Sequence, residues 1–328
     1  MLYFLKNQWF ILALILSVIL GMIFPQAAVL NDGSRVTTVI VALVFLGMGF
    51  TLPSESLLIG LAKWKIHLFI QFFIFAFIPI FFIFTIPIFK SIISTEIYIG
   101  LLALAVLPTT ISTCSVFTQI SDGDVVLTLF NASFSNVIGV FVSPILLSLL
   151  LREVGRAMPM SVLIAIITGL ALKMMLPLLI GQILRFVFLK TTAKLKKTIG
   201  VISNLLILTI VFFSLAESAA TPMLWQNLRS MFIPVVYLTI VHLVLIGIAT
   251  GCARVFKFTG PETISVMYAA PQKTLAMGIP LLSAYFADDP LVLGIAILPL
   301  LFYHPWELFI SGVLKSLPIV EKWGKEAN

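Results

Sequence analysis

The chain has 328 residues, of which 61% are hydrophobic and only 10% charged, and it carries a net charge of +7. Soluble domains carry about 25% charged residues, so this composition excludes an ordinary soluble protein and predicts an integral membrane protein. Membrane topology explains the positive charge better than nucleic-acid binding does. Alternating ten-residue segments of the β-barrel kind are absent, so we expect an all-α fold.

Ten apolar stretches follow one another along the chain, each near the length of about 20 residues that crosses a hydrocarbon core of about 30 Å. The first follows Lys6 without a cleavage site of the A-x-A type, so we interpret it as a span and not as a leader. The stretch 151–167 is expected to be a connector or a short interfacial helix. The predicted spans lie near 8–25, 36–52, 67–88, 97–119, 125–150, 168–189, 199–217, 231–253, 263–286 and 291–314.

The distribution of basic residues predicts the orientation. Ten spans put both termini on one side of the membrane, and the loops on that side carry most of the Lys and Arg residues, including the run 190–197. Cytoplasmic loops are the ones enriched in Lys and Arg, so we expect both termini in the cytoplasm. The protein is then a multi-pass protein of the plasma (inner) membrane.

Two of the spans contain a proline followed by polar residues. The fourth span contains Leu107-Pro-Thr-Thr-Ile-Ser-Thr-Cys-Ser115, and the ninth contains Pro271-Gln-Lys-Thr274. A proline removes one backbone N–H and frees a carbonyl, and irregular backbone at this depth must lie inside protein or line a watery cavity. The prolines could merely kink each helix. We favour true breaks that meet near the midplane and bind a solute, with partners from Thr109, Thr110, Ser112, Thr113, Ser115, Gln272 and Thr274.

The spacing of the breaks indicates an internal repeat. The two prolines are 163 residues apart, from 108 to 271, and an acidic turn follows each break at 122–124 and 288–289. Five spans lie in each half, and an odd number forces the halves into opposite orientations, as in many secondary transporters. We therefore expect two inverted five-helix repeats at 1–150 and 168–316, joined by 151–167, with a cytoplasmic tail at 317–328.

Lys273 gives the predicted site its character. A lysine at the bilayer centre costs roughly 3 kcal/mol, so it should face the protein interior and meet an anion, a cluster of carbonyls or an environment that removes its proton. It lies about a dozen residues from either end of its predicted span, which is far for snorkelling to the interface. As a hypothesis, Lys273 binds the acidic group of a substrate or sits where a cation would otherwise be held.

Other polar residues inside spans are weaker candidates. Asn131 and Ser133 follow the first break and can pack back against it, whereas Gln71 can be a ligand or a partner in a helix–helix hydrogen bond. His304 and Glu307, three residues apart in the last span, can form a gate, a proton relay or a structural pair. One His and one Glu do not make a metal site.

Four stretches of the chain resemble the bile acid:sodium symporter family (solute carrier family 10), most closely its divergent seventh-member branch and the bacterial SBF-like proteins. They are Lys65-Ile-His-Leu-Phe-Ile-Gln71, Leu129-Phe-Asn-Ala-Ser-Phe134, Gln272-Lys-Thr-Leu-Ala-Met-Gly-Ile-Pro280 and Pro299-Leu-Leu-Phe-Tyr-His-Pro305. The resemblance implies a panel domain and a core domain, with the broken helices crossing in the core. It also implies two sodium sites, the first at Ser115 and Thr128, with Cys114 in place of a serine and 131–133 nearby, and the second at Gln71.

The ninth span departs from the family pattern. The sodium-coupled members have a glutamate there that both ions use, followed by a glutamine, whereas this chain has Met267 and Pro271, and then Gln272 and Lys273. The resemblance therefore leaves sodium or protons open as the coupling ion, and bile acids are not carried over as the substrate.

These observations favour a secondary active transporter of a small organic, anionic solute that works by alternating access. A membrane regulator without a transport cycle, for example of calcium homeostasis, is the alternative that the resemblance implies. We expect no enzyme, because a Ser–Lys pair with an oxyanion hole is not established by the spacing. The expected partners are the solute and the lipid bilayer but no nucleic acid, and no cofactor is expected beyond Na⁺ as a coupling ion. The sequence gives neither the solute nor the oligomeric state.

Overall fold

A computed structural model describes residues 9–31, 35–52, 63–152, 155–156, 158–220, 231–287 and 289–326. Within these ranges every regular element is a helix and no strand occurs, which confirms the all-α prediction. The helices are α1 (Trp9–Ile23), α2 (Arg35–Thr51), α3 (Trp64–Phe89), α4 (Thr95–Val106), α5 (Ser112–Ile120), α6 (Val125–Leu151), α7 (Met160–Val187), α8 (Leu189–Ala219), α9 (Phe232–Val255), α10 (Gly260–Ala269), α11 (Leu275–Tyr285), α12 (Pro290–Ala296), α13 (Leu298–Lys315) and α14 (Pro318–Gly324).

In the part of the chain that the structure describes, six helical stretches are long and apolar enough to cross a bilayer, and a seventh joins α1 to the 3₁₀ turn Pro25–Asn31 through a 99° bend. The chain is therefore a multi-pass membrane protein. The six are Trp64–Phe89, Val125–Leu151, Met160–Val187, Thr198–Glu217, Phe232–Val255 and Val292–Lys315. The total of ten spans stays a prediction, because α2, α4 and α11 are apolar but each is shorter than 18 residues.

The sixth predicted span begins earlier than expected. Residues 160–167, which the sequence suggested as part of a connector, form the first turns of α7. The reason is local, because these residues are almost all apolar and contain no helix breaker. Pro159 stands immediately before the helix, where its missing backbone N–H is not needed for a helical hydrogen bond. The connector therefore ends at about residue 159.

The helices pack in two groups. In the first group, α2 packs on α7 and α8, and α1 packs on α8; in the second, α3 to α6 pack with α9 to α13, and α7 and α8 contact this second group at α6, α11 and α12. Glycines permit close approach in the first group, since a Cβ on Gly49 would lie 2.0 Å from the Leu178 carbonyl oxygen and one on Gly181 would lie 2.2 Å from that of Leu46. In the second group, a Cβ on Gly100 would lie 2.2 Å from the carbonyl oxygen of Ala296. The two broken segments, α4–α5 and α10–α11, both belong to the second group.

Acidic residues cap the helix that follows each broken segment. Asp124 accepts a hydrogen bond from Leu127 N at the start of α6 (2.9 Å), and Asp289 accepts one from Val292 N in α12 (3.2 Å). Asp288, the other residue of the second predicted acidic turn, lies outside the described residues. Carboxylates stabilise the positive end of a helix, so these residues fix where each new helix begins.

Lys63 ties the start of α3 to the first of these caps. Its ammonium lies 2.8 Å from Asp124 and 2.8 Å from Glu262 at the start of α10. Burial opposes the charge, but the hydrogen bonds to the two carboxylates outweigh it and raise the pKa of Lys63. The group is therefore charged at neutral pH and holds three helix ends together.

Candidate functional site

The first break separates α4 from α5 at residues 107–111. Leu107 is extended (φ −71°, ψ 148°), as expected for a residue that precedes proline, so the helix stops at Val106. The last carbonyls of a helix have no partner within the helix, and in a membrane they must find one elsewhere in the protein. The break therefore depends on groups that other segments bring to it.

Each of the five carbonyls from Ala105 to Thr109 accepts a hydrogen bond from a distant segment. Ala105 and Leu107 accept from Lys273 Nζ (3.0 and 2.7 Å), Val106 from Ser143 Oγ (2.7 Å), Pro108 from Thr274 N (3.0 Å) and Thr109 from Asn136 Nδ2 (2.7 Å). The end of α4 is thus satisfied by α6 and by the second break. This pattern shows two interrupted segments in direct contact.

The second break separates α10 from α11 at residues 270–274, and it is wholly buried. The Tyr303 hydroxyl donates to the Pro271 carbonyl (2.9 Å), and Lys273 N donates to Glu307 Oε2 (2.8 Å). Both partners come from α13. The polar interruptions that the sequence indicated are therefore real breaks and not simple kinks.

Gln272 links the two breaks through its side-chain amide. Its oxygen accepts from Thr110 Oγ1 (2.7 Å), Thr113 Oγ1 (3.2 Å) and Cys114 Sγ (2.9 Å), and its Nε2 donates to Ser311 Oγ (2.9 Å). The two threonine hydroxyls also lie within hydrogen-bonding distance of each other, so one of them can donate to the other instead of to Gln272. The predicted polar residues of the two breaks are thus brought into one network.

Lys273 points into the protein. Its side chain is only 2% exposed, and its ammonium donates to the carbonyls of Leu107, Ala105 and, more weakly, Ile74 (3.5 Å). Within the described part of the chain, no carboxylate oxygen lies within 4 Å of Nζ. An ammonium has three donors, so in this arrangement none is left over for the acidic group of a substrate.

Glu307 places a buried carboxylate beside the second break. Its Oε1 lies 2.7 Å from His304 Nδ1, and its Oε2 accepts from Lys273 N just before α11 begins. A negative charge is favoured at the N-terminal end of a helix. His304 and Glu307 therefore form a hydrogen-bonded pair that also supports the break, and a gate or proton relay remains a prediction.

The remaining predicted residues lie on α3, α5 and α6, where their side chains bond to nearby protein groups. Gln71 Nε2 donates to Asn131 O and Oδ1 (3.1 Å each), which is the helix–helix hydrogen bond considered for it. Ser115 donates to Ile111 O (2.6 Å), Thr128 pairs with Thr118 (3.0 Å), and Ser133 donates to Leu129 O (2.7 Å).

The three residues proposed for sodium, Ser115, Thr128 and Gln71, are not joined to one another by any hydrogen bond in the described ranges. One observation fits a cation ligand, because Gln71 Oε1 is buried without a hydrogen-bond partner, and so is Asn136 Oδ1. Oxygen atoms of this kind suit hard cations. Sodium at these positions stays a prediction.

Sequence reasoning missed Tyr303, whose hydroxyl bonds both the Pro271 carbonyl and His242 Nδ1 (2.8 Å). It also missed the carbonyl of Ile74. The sequence does contain a signal for that carbonyl. In the π-helical turn Phe73–Phe77 each carbonyl accepts from the N–H five residues later, and for Ile74 that residue is Pro79, which has no N–H. Buried tyrosine hydroxyls usually find a partner, which is the signal for Tyr303.

The accessible side of the site is the start of α5. Ser112 is exposed, and Thr113 and Ser115 are partly exposed, whereas 270–282 are all buried. The residue before the helix, Ile111, makes no side-chain cap. The N–H groups of this first turn, which no side chain caps, can therefore receive an anion together with the Ser112 hydroxyl.

Sequence comparison with known proteins matches most of the chain to one family. The sequence profile of the SBF-like CPA transporter family matches residues 8–317. Rattus norvegicus "Sodium/bile acid cotransporter 7" is 26% identical over 97% of this chain and 94% of its own length. Escherichia coli (strain K12) "Putative symporter YfeH" is 27% identical over 93% of this chain and 91% of its own length. An uncharacterised protein of Pseudomonas aeruginosa is 28% identical over 93% of this chain and 91% of its own length.

Proposed function

Because the chain belongs to the SBF-like CPA transporter family, we propose that it is a secondary active transporter of a small organic anion. The solute binds at the start of α5, beside the contact between the two breaks. The observation that carries this proposal is the direct contact of two broken helices in one hydrogen-bond network, with one end of one half-helix uncapped and accessible. Broken helices of this kind form the solute sites of many transporters.

The charge of the solute follows from the groups at the accessible end. The start of α5 offers backbone N–H donors and the exposed hydroxyl of Ser112, and the positive end of the helix dipole points the same way. An acidic group is the natural acceptor for such donors. In this proposal Lys273 supports the site from behind and does not itself touch the solute.

Alternating access rests on the proposed inverted repeat. The helix caps support it, since Ser94 and Thr259, which cap α4 and α10, are 165 residues apart, as are Asp124 and Asp289, which cap α6 and α12. We propose that the group of α1, α2, α7 and α8 and the group with the breaks move against each other. Sodium or protons drive the movement.

A thermal-shift screen of the purified protein tests this proposal. Organic carboxylates and sulfonates are compared with their neutral amides as matched controls, at several pH values, with NaCl replaced by choline chloride. We expect an acid to stabilise the protein and its amide not to, and the same acid to undergo counterflow in proteoliposomes. If no acid stabilises the protein and none is exchanged, the proposal is wrong, and a partner that copurifies would then favour the regulator.

A further inference from the structure

The ammonium of Lys273 is held by main-chain oxygens alone. Leu107 O lies 2.7 Å away, Ala105 O 3.0 Å and Ile74 O 3.5 Å. Two of the three oxygens belong to the C-terminal end of α4, where the helix dipole is negative. The buried carboxylate of Glu307 bonds the backbone N–H of the same lysine and not the ammonium.

Each of these oxygens is free of an ordinary helical partner for a local reason. Helix α4 stops before Pro108, so Ala105 and Leu107 have no N–H one turn ahead. Ile74 lies in the π-helical turn of α3, and the N–H five residues ahead is missing because residue 79 is proline. Two segments thus present three carbonyl oxygens to one point in the interior.

Converging carbonyls at the end of a half-helix are what binds monovalent cations in transporters and channels. A sodium ion bound at this point could be coordinated by the same carbonyl oxygens that now accept hydrogen bonds from the ammonium. The lysine side chain places one positive charge there, and this charge cannot dissociate because it is covalently attached to the chain.

We propose that Lys273 is a built-in cation, which holds the two breaks together at a site that would otherwise take a free monovalent cation. Removing the side chain beyond Cβ opens that site. Sodium, or a small alkylammonium ion that mimics the lost end of the side chain, then binds between the carbonyls of α4 and α3. The junction of the wild-type protein is held without such an ion.

The test compares Lys273→Ala with Lys273→Met in the full-length purified protein. Alanine empties the space, whereas methionine fills it and brings no charge, so only the alanine variant has room for an ion. Apparent melting temperature is measured in choline chloride, sodium chloride and ethylammonium chloride at equal ionic strength, and each value is compared with that of the wild type in the same salt.

We expect Lys273→Ala to melt several degrees below the wild type in choline chloride and to regain at least half of the loss in sodium or ethylammonium. Lys273→Met should lose a similar amount and regain none. The proposal is overturned if neither cation rescues the alanine variant beyond choline, or if both variants are rescued equally.

Where Lys273→Ala does not survive extraction in choline chloride, the fraction recovered as a single species by size-exclusion chromatography is measured in each salt instead. Recovery in sodium or ethylammonium alone supports the built-in cation, and loss in all three salts refutes it. The readout is stability and not transport, so this inference and the proposed function fail separately.

Discussion

Replacing Glu307 by glutamine removes one negative charge from the protein interior while almost preserving the shape of the side chain. The carboxylate is fully buried and accepts hydrogen bonds from Lys273 N (2.8 Å) and His304 Nδ1 (2.7 Å). A glutamine can keep its oxygen toward Lys273 N, and His304 can change tautomer and accept from the new amide. The hydrogen bonds can therefore survive, and the charge is what the substitution removes.

The expected cost follows from the ammonium that is left behind. Lys273 is 2% exposed, and without Glu307 its positive charge has only dipoles to stabilise it. The two buried charges are not in direct contact, since Glu307 bonds the backbone N–H of Lys273 and not its ammonium. We therefore take the low end of the cost of breaking a buried ion pair, about 3 kcal/mol. For a chain of this size, about 1 kcal/mol corresponds to about 2 °C in melting temperature, so Glu307→Gln should lower it by about 6 °C.

Thermal unfolding of purified protein, followed by tryptophan fluorescence, measures this shift. The matched control is Glu321→Gln, because that side chain is 67% exposed and solvent screens its ion pair with Lys325, so the melting temperature should hardly change. The double variant with Lys273→Met should lose less than the two single variants together, by about 1–3 kcal/mol. A Glu307→Gln protein that melts within about 1 °C of the wild type, or fully additive losses, would refute the electrostatic reasoning.

Three further outcomes are expected from the same assay. Lys63→Met breaks two ion pairs at partly exposed positions and should lower the free energy of unfolding by about 1 kcal/mol at neutral pH. Because the pKa of Lys63 is raised, the wild type keeps this extra stability at neutral pH and loses it only in alkaline solution, as the pH rises through that pKa. Gly181→Ala places a Cβ 2.2 Å from a carbonyl oxygen of α2 and should cost about 3 kcal/mol. Its control, Gly169→Ala on the same helix, has nothing within 4 Å of the new Cβ and should be neutral or stabilise the protein by up to about 1 kcal/mol. Equal effects of the two substitutions would contradict the packing of α2 on α7. Tyr303→Phe leaves a buried carbonyl of the second break unpaired and should cost about 1–3 kcal/mol, and no loss would show that another group pairs with it.

The positions of the breaks could be predicted because their causes are local. Pro108 forces its neighbour into an extended conformation and ends α4, and polar residues after Pro271 cannot continue an apolar helix without partners. The start of α7 was wrong by eight residues, since the polar stretch before Pro159 hid the apolar residues that follow it. Local sequence therefore fixes where helices stop more reliably than where a long one starts.

The sequence could predict which type of group surrounds Lys273, but not which residues supply it. Burial at mid-membrane required an interior partner, and a carbonyl cluster was one of the expected partners. The particular oxygens lie 168 and 199 residues away along the chain, at Ala105 and Ile74. Tertiary packing alone brings these segments together, and no periodicity or spacing in one sequence encodes that packing.

The same limit applies to the residues considered as sodium ligands. Ser115, Thr128 and Gln71 are each polar residues inside apolar helices, so a role in hydrogen bonding was predictable. Which partner each one takes depends on the rotation of α3, α5 and α6 about their axes. The resemblance to a family supplied the sodium hypothesis, and the hydrogen bonds of these side chains leave it untested.

Protection of a cysteine at the start of α5 tests the central claim most directly. Ser112→Cys is made in a Cys252→Ala background, where the native Cys114 is fully buried, and its labelling by a small thiol reagent is timed with and without the acid that stabilises the protein. The account predicts that the acid slows labelling at residue 112 by at least about tenfold, equivalent to about 1.4 kcal/mol of binding. Labelling at Gln119→Cys, exposed two turns farther along the helix, should be unchanged. Equal labelling of Ser112→Cys with and without the acid would show that the solute does not bind where the two broken helices meet.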